Sequence, residues 1–306
     1  MFWRWRSNNK NKHAARTWLS GWCVYLFACM AQPLQAADIP TIEVLIEDSV
    51  YDDYFRFLNH RSVQDIHDFS TAGARRDVVD MVLVQQAIWL GGLRLHFEFK
   101  RSDFSARSPK LYSRGEALVS FDSVWRNAAR KYEQDVYISD PVIERGHYVA
   151  GLWTSPKNGK ALAVRTPADL QQLTAVSSKS YEADWRTLQG LKLKDIRDEY
   201  AWISMATLVS KGWVDVMLAP FPRQQPFIIK QEHITLVAVD GVKVLLDDSR
   251  HFVVSKHHPL GAVTFAALQR GMARLKEQGV LNRAYAECGF YNSAVKDWSL
   301  LVPSNP

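Results

Sequence analysis

Strand-like and helix-like segments alternate through residues 40–292 of this 306-residue chain, and this alternation restricts the possible folds more than any other feature. The run 41–46 is rich in β-branched residues, and 93–99 alternates apolar and polar residues with a period of two, as a half-exposed strand does. Residues 75–89 and 260–278 instead repeat their apolar residues with helical spacing. Regular alternation of this kind is typical of α/β proteins, so we predict an α/β fold.

The N-terminal region has the pattern of a secretory signal peptide. Residues 1–16 contain five basic residues and no acidic residue, and an apolar run, 18–31, follows them. That run is shorter than the ~20 residues a helix needs to cross a bilayer. Small residues then form a processing site, and we expect cleavage between Ala36 and Ala37, which releases a periplasmic protein. The alternative is a lipoprotein that carries its lipid on Cys29.

Removing residues 1–36 changes what the composition implies. The whole chain has 38 Lys and Arg against 32 Asp and Glu, and five of the basic residues leave with the signal, so the mature part is nearly neutral. We therefore expect no nucleic-acid partner, because such a partner requires a basic footprint on the folded domain. Of the three cysteines only Cys288 remains, which excludes an intramolecular disulfide. We expect a monomer without a membrane-spanning segment, stabilised by its apolar core.

Several short motifs follow one another in a characteristic order. They are Gly73-Ala74-Arg75-Arg76-Asp77 before a helix, Gly115-Glu116-Ala117 before a strand, Ile138-Ser139-Asp140-Pro141, Thr166-Pro167-Ala168-Asp169-Leu170 at a helix start, Gly212-Trp213-Val214-Asp215 before a strand, and Gly289-Phe290 near the end. Each motif is weak alone, and their order is the evidence. This order resembles that of the family 3 extracellular solute-binding proteins, which have the type II periplasmic-binding-protein fold.

The resemblance implies two α/β lobes joined by two crossing hinge strands. Residues 37–147 together with 245–306 would form lobe 1, and 148–244 would form an inserted lobe 2. Ligands of open α/β sheets bind at the carboxyl ends of strands, which here face the crevice between the lobes. The implied function is non-catalytic capture of a small polar or anionic, amino-acid-like solute for an ABC-type permease or a receptor in the inner membrane. Closure of the lobes on the ligand would be the event that this partner recognises.

Two other functions stay open. One is a periplasmic sensor or interaction protein with a degenerate cleft. The other is an enzyme of the same fold, similar to a dehydratase, in which Glu144 or Glu182 acts as a general acid or base. The chain contains no His-Glu-x-x-His, Cys-x-x-Cys, Gly-x-Ser-x-Gly, Walker or Gly-x-Gly-x-x-Gly motif, so we expect no metal, no cofactor and no catalysis.

In lobe 1 the resemblance points to an arginine that holds a ligand carboxylate through two parallel hydrogen bonds. Arg130 is the nearest candidate, and Arg126 competes with it. Ser120, Asp122 and Trp125 follow a short buried strand, where the family presents polar groups to its ligand. Trp125 is equally consistent with a core position, and Arg130 with a solvated surface position.

Three other places complete the predicted site. Tyr51 and Phe55 follow the first strand and would sandwich the ligand or contact its cationic group, although ordinary packing explains them equally well. Ser178 and Ser180 precede a helix, where they would bind an anion or simply cap the helix. Phe221 stands where amino-acid binders of this family have a carboxylate for the ligand's ammonium group, which puts standard amino-acid binding in doubt.

Overall fold

Residues 39–102 and 109–303 are described by a computed structural model. The predicted signal peptide and the cleavage site at Ala36 and Ala37 lie outside the described residues, as does Cys29. Among the described residues, no helix is both long enough and apolar enough to cross a bilayer.

The first lobe contains two small sheets around a buried helix. Strand β1 (Thr41–Glu47) runs parallel to β2 (His96–Ser102), with Thr41 opposite His96 and Glu47 opposite Ser102. In the second sheet, β11 (Arg250–Ser255) lies between β3 (Val124–Trp125) and β4 (Val136–Ile143). The elements before the first hinge crossing are β1 (Thr41–Glu47), α1 (Asp48–Leu58), a short 3-10 turn (Val63–Asp65), α2 (Arg76–Leu90), β2 (His96–Ser102), α3 (Pro109–Ser113), β3 (Val124–Trp125), α4 (Arg126–Arg130) and β4 (Val136–Ile143).

The second lobe is built on a longer sheet with the strand order β12-β10-β5-β8-β6-β7, and β9 pairs with β10. Its elements are β5 (Val149–Thr154), α5 (Gly159–Leu162), α6 (Pro167–Leu170), β6 (Thr174–Ser177), α7 (Glu182–Gly190), β7 (Asp195–Asp198), α8 (Trp202–Ser210), β8 (Val216–Ala219), β9 (Ile228–Gln231) and β10 (Ile234–Leu245). The chain then returns through β11 (Arg250–Ser255), α9 (Gly261–Glu277), α10 (Val280–Glu287), a 3-10 turn (Ser293–Val295) and β12 (Ser299–Leu301).

The α/β fold predicted from the sequence is confirmed, and so are its long helices. The helix expected at 75–89 is α2, and the helix expected at 260–278 is α9. The strand expected at 117–121 forms only an isolated bridge, between Val119 and Val254, and this segment lines one groove together with β1.

The C-terminal residues differ from the predicted lobe assignment. The sequence places all of 245–306 in lobe 1, whereas β12 extends the sheet of lobe 2 by pairing with β10. Just before β12, the ring of Trp298 lies edge-on to Phe221 at 5.4 Å and to Phe227 at 5.6 Å. An open strand edge and an apolar surface therefore bind the end of the chain to the second lobe.

The core of lobe 1 is organised by α2, which packs against α1, α9 and α10. Every residue from Val78 to Ile88 is buried, which fits a helix covered on all sides. The crossing of α2 and α9 depends on two glycines. A Cβ atom added to Gly91 would lie 1.8 Å from the Ala267 carbonyl oxygen, and one added to Gly271 would lie 1.7 Å from the Ala87 carbonyl oxygen.

We predict that Gly271→Ala lowers the free energy of unfolding by about 1–3 kcal/mol, because the two helix backbones must separate to accept a methyl group. Chemical denaturation of the two proteins measures this difference. Gly159→Ala is the matched control, since an added Cβ there meets no atom within 4 Å. Equal stability of Gly271→Ala and the wild type would contradict the close helix crossing.

Candidate functional site

A buried network of charged groups lies where α2 begins. The Asp80 carboxylate is fully buried and accepts hydrogen bonds from Ser123 N at 2.9 Å, Ser123 Oγ at 2.7 Å and Arg76 Nη1 at 2.6 Å. The Tyr285 hydroxyl of α10 donates to the other carboxylate oxygen. Four donors from three parts of the chain satisfy this buried acid, which fixes the segment around Ser123 against α2.

A second arginine joins the same network from β11. Arg250 donates from Nε to Ser123 Oγ at 2.9 Å, from Nη2 to the Ser123 carbonyl oxygen, and from Nη2 to Asp122 Oδ1 at 3.3 Å. Arg76 Nη1 reaches the same Asp122 oxygen at 2.7 Å. Asp122 therefore lies between two guanidinium groups and offsets their mutual repulsion.

Aromatic rings cover the other side of Arg250. Its guanidinium carbon lies 4.6 Å from the centre of the Trp125 ring and 5.9 Å from that of Tyr148, and the two ring centres are 4.7 Å apart. Phe290 contacts Tyr148 at 4.8 Å, edge to face. These cation–π contacts hold a charge in a nearly water-free position, since Arg250 as a whole is only 6% exposed.

Two donors of this site have no protein partner within the described residues. Arg250 Nη1 makes no hydrogen bond, although Nε and Nη2 are both engaged. The Tyr148 hydroxyl also has no partner, and it is not sealed from water. Burial raises the pKa of Tyr148, and the nearby Arg76 and Arg250 offset part of this effect. The hydroxyl thus stays protonated and can donate a hydrogen bond.

The first turn of α7 brings lobe 2 to this site. Lys131 of lobe 1 pairs with Glu182 at 2.5 Å, and Arg186 lies 3.4 Å from Asp248, on the hinge segment that leads into β11. Asp248 Oδ2 also accepts a hydrogen bond from Asn127 N at 3.2 Å. Two ion pairs, at Glu182 and at Arg186, therefore hold the start of α7 against lobe 1.

Asp184 lies between those two ion pairs and is half-buried. It forms no direct ion pair with any described side chain. Its carboxylate accepts a hydrogen bond from its own backbone N–H. Burial raises the pKa of Asp184 to about 6, against the opposing effects of that N–H and of the more distant Arg250. Beside burial, the charge of Asp184 contributes to the raised pKa of Tyr148.

The structure brings two of the predicted residues, Asp122 and Trp125, into this site together. Ser120 is buried nearby, but its hydroxyl accepts a hydrogen bond from Val253 N at 3.0 Å, which is a structural contact. Arg130 is exposed at the edge of a shallow depression lined by Tyr137 and Phe265. It is not among the residues that contact Arg250, so its role as a ligand contact stays a prediction.

The remaining predicted residues lie in other surroundings. Tyr51 and Phe55 are on α1 with ring centres 4.5 Å apart, and Arg101 of β2 covers Tyr51. Ser178 and Ser180 bond each other through their hydroxyl groups at 2.7 Å, before α7. Phe221 packs in the aromatic cluster with Phe227 and Trp298. None of these residues contacts the Arg250 cluster, by which we mean Arg250 with Asp122, Ser123, Trp125 and Tyr148, in the described part of the chain. Their ligand-binding roles remain predictions.

Sequence reasoning missed Arg76, Tyr148, Asp184 and Arg250. Arg76 belongs to the motif Gly73–Asp77 before α2. This motif contributed to the prediction through its place in the order of motifs, and the charge of Arg76 was not considered. Arg250 is a charged residue at the start of the strand Arg250–Ser255, all of whose residues are buried, and this is the one local signal that could have identified it. The described part of the chain contains no cluster of His, Cys, Asp or Glu suited to a metal ion.

Comparison with known proteins identifies the fold. No family model and no curated protein matches the sequence. The extracellular-binding protein of a probable amino-acid ABC transporter from Bacillus subtilis matches in structure with a TM-score of 0.52 and 13% identity, over 81% of this chain and 98% of that one. The fold is that of the type II periplasmic binding proteins.

Two further solved structures share this fold. The GluR0 ligand-binding core in complex with L-glutamate has a TM-score of 0.51 and 12% identity, over 82% of this chain and 98% of that one. The periplasmic VFT2 domain of Bordetella pertussis BvgS has a TM-score of 0.52 and 13% identity, over 82% and 94%. The bilobal arrangement expected from the sequence is confirmed by these likenesses, which concern the fold alone.

We predict that Asp184→Asn makes the protein more stable near neutral pH, by about 1–2 kcal/mol after allowance for partial exposure. The raised pKa means that the folded protein binds the Asp184 proton more tightly than the unfolded chain does. The stability from this group is therefore full below the unfolded pKa and is lost as pH rises through about 6. The advantage of the variant should accordingly vanish toward about pH 4.

Denaturant unfolding of the wild type and of Asp184→Asn across this pH range measures the difference between them. Glu182 and Arg186 flank Asp184 on α7, Arg250 and Tyr148 interact with it electrostatically, and all four are unchanged in the variant. Exposed Asp195→Asn on β7 is the matched control and should show no such pH dependence. A constant difference between Asp184→Asn and the wild type at every pH would show that Asp184 has no raised pKa.

Proposed function

We propose that this protein is an exported, non-catalytic binding protein that closes its two lobes on a small polar molecule with an anionic group. The observation that carries the proposal is the pair of unpartnered donors, Arg250 Nη1 and the Tyr148 hydroxyl, on an aromatic floor between the lobes. A carboxylate that accepts from both donors gains charge-assisted hydrogen bonds in a site of low water content. Solved structures with the same fold include a protein of a probable amino-acid ABC transporter and a complex with L-glutamate, which supports an amino-acid-like ligand.

A sensor or interaction protein is the second candidate function. Lys131–Glu182 and Arg186–Asp248 join the lobes through protein contacts alone. Lobes that close without help from a ligand suit a domain that reports to a partner in the membrane, and the VFT2 domain of BvgS has the same fold. A transporting permease and a signalling receptor are therefore both candidate partners. A protein that remains closed with and without every tested ligand would favour the sensor.

The carboxylates proposed for catalysis support the non-catalytic function. Glu144 pairs with Lys276 at 2.8 Å on the surface, and Glu182 pairs with Lys131. Both carboxylates are thus already engaged with a lysine of the protein. Neither glutamate contacts the Arg250 cluster in the described residues.

Export is part of the proposal, and its test is direct. We predict that the protein recovered from the periplasm begins at Ala37, because the small residues before it form the processing site. N-terminal sequencing or intact-mass measurement of the exported protein determines the first residue. Cys29→Ser should leave this result unchanged. An N-terminus at a lipid-modified Cys29 would establish the lipoprotein alternative instead.

We predict that Tyr148→Phe weakens binding of the anionic ligand about 10- to 100-fold, because one hydrogen bond to a charged group is lost. Folding should be unaffected, since the hydroxyl has no partner in the described protein. Thermal-shift screening of amino acids, dicarboxylates and sugar acids finds the ligand, and calorimetric titration compares the two proteins.

Tyr200→Phe is the matched control, because Tyr200 is 81% exposed and lies outside the cluster. Its affinity should equal that of the wild type. Stabilisation of the wild type by none of these compounds, or an unchanged affinity in Tyr148→Phe, would contradict the proposed site.

A further inference from the structure

The outer edge of β2 has no partner strand in the described part of the chain. Strand β2 pairs with β1 alone, in a sheet of two strands. The His96 N–H donates to the Pro40 carbonyl oxygen at 2.9 Å, so His96 and every second residue after it direct their backbone groups toward β1. Phe97, Phe99 and Arg101 therefore direct theirs outward, where they meet no backbone group of a described residue. An open edge of this kind can accept a further strand.

A groove of about 420 Å³ borders this strand and is also lined by α1 and α2. Two large apolar side chains of the groove, Phe55 and Trp89, stay 43% and 39% exposed. Phe97 and Phe99 line the groove as well, and their rings pack inward against Phe121, at 5.0 Å and 5.2 Å. Open backbone groups and an open apolar surface thus lie side by side, as at a surface that binds another protein.

The exposed face of β2 carries a carboxylate that has no cation of its own among the described residues. Glu98 lies directly opposite Glu43 of β1 in the register of the two strands, and like charges in that position repel. Lys100 forms an ion pair with Glu43, and Glu98 forms none with a described side chain. A second lysine beside Glu98 would offset the repulsion between the two glutamates.

A second copy of the chain supplies that lysine. When two β2 strands pair antiparallel about a two-fold axis at Phe99, Glu98 lies opposite the partner's Lys100, and Lys100 opposite the partner's Glu98. The outward backbone groups then pair with one another, and Glu98 and Lys100 occupy the positions where side chains across an antiparallel pair come closest. A two-fold axis at Glu98 or at Lys100 would instead set identical charges against each other. The edge is therefore complementary to itself in the register centred on Phe99.

We propose that the protein forms a two-fold dimer in which the outer β2 edges of two copies pair in this register. The four strands then form one continuous sheet, and the helices α1 and α2 of both copies lie on the same face of it. This arrangement brings the exposed Phe55 and Trp89 toward the partner and removes apolar surface from water. It departs from the monomer expected from the sequence.

Dimer formation and ligand binding use different surfaces. None of the residues that line the groove beside β2 belongs to the Arg250 cluster. The inference therefore does not depend on the proposed binding function, and each can fail without the other.

The test is sedimentation equilibrium of the exported protein over a range of concentrations. We expect a reversible dimer for the wild type. In Glu98→Lys and in Lys100→Glu the dissociation constant of the dimer should rise at least about tenfold, because each change sets two pairs of like charges across the edge. An equimolar mixture of the two variants should regain the affinity of the wild type to within about threefold, since lysines of one chain then lie opposite glutamates of the other at both positions.

Two further variants serve as controls. Glu98→Lys combined with Lys100→Glu exchanges the two charges within one chain and should form dimers as the wild type does. Asp195→Lys changes an exposed charge of lobe 2 and should leave the dimer unaffected. Recovery of the dimer in the mixture also shows that both single variants are folded, so their loss of affinity is not a loss of fold.

Three results would overturn the inference. A wild type that stays monomeric at every concentration leaves the edge to a strand of another protein. A dimer that neither Glu98→Lys nor Lys100→Glu weakens uses another surface. Single variants that lose the dimer and do not regain it when mixed, although their thermal unfolding matches that of the wild type, exclude the register centred on Phe99.

Discussion

The carboxylate of Asp80 connects the parts of lobe 1 that define the site. It accepts from Arg76 on its own helix, from the backbone and hydroxyl of Ser123, and from the Tyr285 hydroxyl of α10. Ser123 in turn holds Arg250 of β11. Removal of this acid would take one ionic partner from Arg76 and leave the Ser123 N–H and the Tyr285 hydroxyl without their acceptor, which is more costly than the loss of a surface ion pair. The position of Arg250, and with it the anion site, therefore depends on one residue in the second turn of α2.

The second lobe contributes charged side chains that form ion pairs with lobe 1. Its helix α7 carries three charged residues, and the outer two, Glu182 and Arg186, are paired across the lobes. Asp184, between them, forms no ion pair with a described side chain, and burial raises its pKa to about 6. A bilobal protein responds to a ligand only through its differential affinity for the closed form, so a group that binds the ligand only when the lobes meet has the largest effect. The two ion pairs join the lobes through protein contacts alone.

Much of the fold could be predicted because its signals are local. The periodicity of apolar residues identified β1, α2, β2 and α9, and the order of short motifs predicted two lobes. The candidate site was predicted only in part. Asp122 and Trp125 follow a buried segment in the chain, whereas Arg130, four residues beyond Arg126 on a short helix, points to the surface. Proximity in sequence could not indicate the arginines that contact Asp122, since these lie 46 and 128 positions away from it.

The sequence by itself determined the α/β class, the near-neutral charge of the part beyond residue 36 and the absence of familiar catalytic motifs, because these follow from composition and from contacts within a few residues. Tertiary structure alone decided which arginine meets which aspartate, that Arg250 lies over the Tyr148 ring, and that the chain end returns to lobe 2. The physical reason is that a charged side chain can bind a ligand strongly only where neither water nor another group of the protein already satisfies it. Burial and pairing are properties of the folded surface between the lobes, to which residues more than a hundred positions apart contribute.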